Sequence, residues 1–149
     1  MSRTSSNFFK RLGLLIPGFK GYQTKEDLRE SDYQIRLYAK QIIEKLVDKI
    51  EKEKRNLNSN EFLDIDFQQK DLKIIAVKVA NQKYGYKAFF HKNSTTENIE
   101  LLESIITHDE SLIETLQEAN DTLIVSTNFI KSLNNKLEII LDKRSEILR

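Results

Sequence analysis

Chain breakers are nearly absent from most of this sequence, and that restricts the fold more than any other feature. Glycine and proline occur at Gly13, Pro17, Gly18, Gly21 and Gly85 only. Beyond Tyr22 a single glycine interrupts the chain to its end. A β-rich domain needs a turn residue every few positions, whereas a long helix needs none. The chain therefore reads as all-α. Its 149 residues suit one domain, and a hydrophobic content of 39% is enough for one core.

The charges exclude several function classes. There are 24 Lys and Arg against 23 Asp and Glu, for a net charge of +1. Nucleic-acid affinity rests on surplus cations that neutralise phosphates, so no nucleic-acid partner is expected. The chain has no cysteine. That removes disulfides, thiol nucleophiles and cysteine-based metal centres, and it fits a cytoplasmic setting. No apolar run approaches the length of about 20 residues that spans a bilayer. The apolar stretch near the N-terminus is cut by Gly13 and Pro17, so no signal peptide is expected. Ser2 occupies the position where myristoylation requires glycine.

Two parts follow from the pattern. Residues 1–23 form a basic amphipathic N-terminal segment. Phe8, Phe9, Leu12, Leu15 and Ile16 recur at helical spacing, with Asn7, Lys10 and Arg11 opposite. Pro17, Gly18 and Gly21 then force a turn. Residues 24–149 form a helical bundle or an antiparallel coiled-coil-like domain of three or four helices. The first helix starts near Thr24, whose hydroxyl has capping-box spacing to Asp27, and runs to about Leu57. Its apolar stripe is Leu28, Ile35, Ala39, Ile42, Ile43, Leu46, Val47 and Ile50. Residues 61–83 read as a second helix with Phe67, Leu72, Ile75, Ala76 and Val79 inward. The β-branched run from Lys73 to Val79 would also suit a strand, but no partner strand is visible.

The last third carries the clearest period. A heptad with a at Leu102, Asp109, Leu116, Leu123, Ile130, Leu137 and Arg144 pairs with d at Ile105, Leu112, Ala119, Ser126, Leu133, Ile140 and Ile147. Only Asp109, Ser126 and Arg144 break its apolar character. The unbroken register favours one helix over 95–148, roughly 80 Å long at 1.5 Å per residue. A hairpin opening at Asn120-Asp121 or Ser126-Thr127-Asn128 is the alternative.

Catalytic chemistry has no constellation to support it. There is no phosphate-binding loop, no Glu-x-x-His pair, and only His91 and His108 among histidines. No cofactor, metal or small-molecule substrate is inferred, and a non-enzymatic role is expected. Two contact surfaces stand out instead. Phe8, Phe9, Phe19, Tyr22, Tyr84, Tyr86, Phe89 and Phe90 concentrate the aromatic residues into two loops, which either close one end of the bundle or dock a partner. With Lys10, Arg11, Leu12, Leu15 and Ile16, the N-terminal rings also make a candidate membrane contact. Separately, Asp32 falls on the apolar stripe of the first helix, with Arg29 and Arg36 in reach. The simplest reading is a partly exposed local ion pair. The alternative is a buried polar node that fixes helix register, with Arg144 or His108 joining it.

The segments Ile16-Pro17-Gly18-Phe19-Lys20-Gly21-Tyr22, Arg29-Glu30-Ser31-Asp32 to Arg36, and Tyr84-Gly85-Tyr86-Lys87-Ala88-Phe89-Phe90 occur in that order. Together they resemble a family of small uncharacterised bacterial helical proteins with an IPG-x-x-GY segment and a YGY-x-x-F corner. The resemblance covers roughly residues 12–118, with Phe19 where a tyrosine is more usual. It implies an all-helical fold in a bacterial cytoplasm and carries no activity with it. The expected function is a helical scaffold or adaptor that binds a protein partner or itself. The alternative is a peripheral membrane protein held by its N-terminal segment.

Overall fold

The computed structural model describes residues 10–16, 19, 25–81 and 95–147, with the side chains of 25–29, 95–103 and 106 left aside. A short helical segment over 10–15 precedes four long helices. These are α1 (Lys25–Lys54), α2 (Ser59–Asn81), α3 (Thr95–Thr122) and α4 (Thr127–Ile147). No strand occurs among the described residues.

The α1 stripe buries Ile35, Ala39, Ile42, Ile43, Leu46 and Ile50, as its spacing requires. The helix ends in a tight turn in which the Leu57 amide donates to the Lys54 carbonyl at 3.2 Å. Asn58 then caps α2, because its Oδ1 accepts from the Glu61 amide at 2.9 Å. The Asn58-Ser59-Asn60 run thus starts the second helix, while the first already ends at Lys54. The β-branched stretch is helical: Ile75, Ala76 and Val79 enter the core, while Ile74 and Val77 face out. Tertiary packing overrides the strand preference of these residues. Phe67, expected inside, lies on the solvent side of α2 with 64% of its surface exposed.

The chain reverses between α3 and α4, so the single helix expected over 95–148 is replaced by a hairpin. Thr122 Oγ1 donates back to the Glu118 carbonyl at 2.7 Å, a bond that competes with regular continuation of the helix. Ser126 Oγ accepts from the Phe129 amide at 3.2 Å and so caps α4. The heptad survives the reversal because both arms present the same stripe to the same core. Its described members are buried or half-buried, including Asp109, Ser126 and Arg144. A heptad reports which face is apolar and is silent on whether the axis is continuous. Ser126→Ala should cost about 1 kcal/mol, the usual loss for a cap. Urea denaturation would measure it, and an unchanged midpoint would show that the cap is dispensable.

Two hairpins, α1–α2 and α3–α4, pack side by side. Helix α1 neighbours α2 and α3, while α4 neighbours α2 and α3. Gln117 Nε2 donates to the Tyr38 hydroxyl at 3.2 Å and Lys49 Nζ to Asn120 Oδ1 at 2.7 Å, so α1 and α3 run in the same direction. Asn134 Nδ2 donates to the Gln68 carbonyl at 3.1 Å and Lys78 pairs with Glu138 at 2.9 Å, so α2 and α4 are also parallel. Helices α1 and α4 therefore face each other across the bundle diagonal. Helices α2 and α3 face each other across the other diagonal. Ile65, Leu72, Leu112, Leu116, Ile130, Leu133, Leu137 and Leu141 complete the shared core.

Candidate functional site

The N-terminal segment lies on the bundle with its apolar face inward. Leu12 is fully buried, Ile16 nearly so, and Phe19 packs half-buried against the same core. Leu15, expected on that face, points outward beside Leu14, which is 89% exposed. Arg11 reaches α3, where its Nη2 lies 2.7 Å from Glu110 and 3.3 Å from Glu114. Lys10 is exposed. The surface expected to contact a partner or membrane is thus partly consumed by the core and by an ion pair. Phe8, Phe9, Tyr22, Tyr84, Tyr86, Phe89 and Phe90 lie outside the described residues, as does the expected meeting of the two aromatic loops. A cleft of about 300 Å³ runs along α1 beside the segment, lined by Leu15, Ile16, Tyr33 and Leu37 among others.

Between the helices, toward the end of the bundle where α1 begins and α4 ends, sits an ion cluster. Arg144 on α4 is 1% exposed, and its Nη2 donates to Asp32 Oδ1 on α1 at 2.6 Å. Its Nε donates to Asp109 Oδ1 on α3 at 3.0 Å. Arg36, one turn along α1, places its Nε 3.8 Å from Asp32 Oδ1. Asp32 and Asp109 are themselves buried. The partly exposed local pair does not describe this site. The long arginine side chain spans the diagonal between α1 and α4 and joins both hairpins. The Arg29 side chain lies outside the described residues. His108 stays half-buried at the edge, where burial lowers its pKa against the raising effect of Asp109. Two arginines balance two carboxylates, so the charges are buried but compensated.

A third buried cation was missed in the sequence because Lys54 sits in a dense run of charges. Its Nζ contacts Asp66 Oδ1 at 2.8 Å, Gln69 Oε1 at 2.6 Å and Glu51 Oε2 at 2.8 Å. It also stands 5.1 Å above the Phe62 ring. Gln69 Nε2 closes the network by donating to the Val47 carbonyl at 3.1 Å. The network ties the α1–α2 hairpin near its turn. Burial opposes the charge on Lys54, but the bonds to Asp66 and Glu51 outweigh it and raise its pKa. Hydrogen bonds from Lys54 hold both Glu51 and Asp66 below the usual carboxylate range.

These shifts set a pH dependence. His108 has a folded pKa below its ordinary 6.5, so its contribution is complete above 6.5 and fades as pH falls through the lowered value. Glu51 and Asp66 follow at lower pH, and Lys54 loses its contribution only as pH rises through its raised value. Glu110 works the other way, because burial and Glu114 raise its pKa and the penalty on its charge is relieved on acidification, so the melting temperature should fall from neutral pH in two steps that Glu110 partly offsets. His108→Gln should remove the first step only. A variant that keeps both steps would show that His108 does not carry the first.

The outer face of α2 is the most unusual surface. Leu63, Phe67, Ile74 and Val77 are 54–65% exposed and occupy one stripe, opposite the stripe of Ile65, Leu72, Ile75 and Val79 that enters the core. A surface helix ordinarily carries polar residues there. Lys70 sits mid-stripe, held by Asp66 at 3.2 Å. No group of metal-binding side chains occurs among the described residues. No helix among them is long and apolar enough to cross a membrane. No protein-family model matches this chain, and neither does any curated protein or solved structure.

Proposed function

We propose that this chain is a non-enzymatic helical scaffold that acts by protein–protein contact, with the outer face of α2 as its docking surface. The observation that carries this reading is the doubly apolar character of α2. Its inner stripe already satisfies the core. The outer stripe of Leu63, Phe67, Ile74 and Val77 adds nothing to the packing of the bundle, while contiguous exposed apolar surface favours association. The membrane alternative has less behind it, because Leu12 and Ile16 pack into the core and Arg11 is engaged by Glu110 and Glu114.

A photo-crosslinking residue at position 67 tests the proposal in cells. It should give a discrete crosslinked species, whereas the same residue at exposed Lys52 on α1 should not. Equal labelling at both positions, or none at 67, would overturn the assignment of this face.

A further inference from the structure

We propose that the occupant of this face is a second copy of the chain, with two α2 helices packed antiparallel about a two-fold axis. The proposal rests on the docking reading above and adds the partner and its orientation. Three observations lead to it.

The stripe has the geometry of a helix–helix seam. Positions 63, 67, 70, 74, 77 and 81 alternate steps of four and three, the spacing that keeps one narrow line facing a partner helix. All six residues are exposed. A narrow seam of this kind matches another helix better than a broad convex surface.

The charges beside the seam are polarised along the helix. Glu61, Asp64 and Asp66 occupy its first half, and in its second Lys70, Lys73 and Lys78 outnumber the single acid Asp71. Two such helices side by side and parallel would set acid against acid and base against base. Antiparallel packing sets each acidic half against a basic half. A surface with this polarity is complementary to itself, as a two-fold interface requires. Among the described residues Asp64 and Lys73 make no ion pair within the chain. They are available to a second copy.

Lys70 is the one charged residue in the seam. Asn81 is polar but closes the seam at its end, whereas a polar residue midway among apolar seam positions lowers stability and fixes register and partner number. Asp66 of the same helix already balances it at 3.2 Å, so the interface need not leave its charge unpaired.

The chain lacks cysteine, which makes the orientation directly readable. Sedimentation equilibrium of the full chain should show a reversible monomer–dimer exchange. Phe67→Glu and Ile74→Glu should each weaken it by roughly tenfold or more with the helical circular dichroism unchanged. Asn60→Cys and Asn81→Cys should not crosslink alone under mild oxidation but should crosslink when mixed. Crosslinking of each alone would overturn the antiparallel arrangement. A dimer that persists in Phe67→Glu would overturn the choice of face. A chain that stays monomeric at every concentration would overturn the second copy as occupant. In that case the crosslink at position 67 separates the two ideas: a species with another protein leaves the scaffold reading standing, and no species removes both.

Discussion

Replacing Arg144 by methionine should cost about 3–5 kcal/mol, the range for a buried ion pair that loses one partner. The side chain removed is 1% exposed and donates to Asp32 and Asp109, which are 4% and 1% exposed. Methionine fills much of the volume but leaves two carboxylates beside an apolar core. Arg36 cannot replace the lost cation, because it approaches Asp32 only at 3.8 Å and stands on the same helix. A loss of this size is a large share of the 5–15 kcal/mol that holds a typical domain together. Urea denaturation should show a midpoint displaced far to low denaturant. Adding Asp32→Leu and Asp109→Leu should recover most of the loss, since apolar replacement of an entire buried ionic group is often neutral or better. A single variant that loses less than about 1 kcal/mol would mean that water already reaches the cluster.

The second large effect belongs to the apolar core. Leu46→Ala should cost about 2–5 kcal/mol, made up of lost transfer energy and the cavity left behind. Leu46 is fully buried on the inner face of α1. Phe67→Ala removes a larger side chain and should change stability of the monomer by no more than about 0.5 kcal/mol, because that ring faces solvent. The two variants together separate core from docking face by experiment. Equal losses would show that Phe67 is packed in solution. A negligible loss at Leu46 would show that the core relaxes around the vacancy.

The helical class was legible because glycine and proline are confined to a few positions, and the α1 stripe because its period is undisturbed over many turns. The hairpin was less legible. Ser126 occupies a d position of the heptad, and a serine there is equally consistent with a tolerated polar residue and with a helix cap. Only the bond from the Phe129 amide decides between them. The ion cluster was half legible. Asp32 and Arg36 signal it locally, but Arg144 lies far along the sequence and meets them only once the second hairpin has docked. Lys54 left no signal at all, since one buried lysine looks like any other in Glu51-Lys52-Glu53-Lys54-Arg55. Phe67 misled in the opposite direction. Aromatic character favours the interior, and its place on the helix circumference contradicts that preference. The α2 sequence carries apolar residues on both sides, so the inward stripe drawn from it took in Phe67 from the outer side along with the buried Leu72, Ile75, Ala76 and Val79.

The placement of the buried ions has a consequence for assembly of the fold. Asp32 and Arg36 belong to the first hairpin, Asp109 and Arg144 to the second. Each half therefore carries one acid and one base, and the bond from Arg144 to Asp32 joins them across the seam between halves. Sliding one half by a single helical turn, about 5.4 Å, would take Arg144 away from Asp32 and leave it with Arg36 alone. The halves thus behave as a lock with one seating position. That lock is indifferent to covalent connection: a second hairpin supplied by another molecule, or by a fragment cut between Asn81 and Thr95, presents the same Asp109 and Arg144. Two separately expressed hairpins should then reconstitute one bundle by complementation.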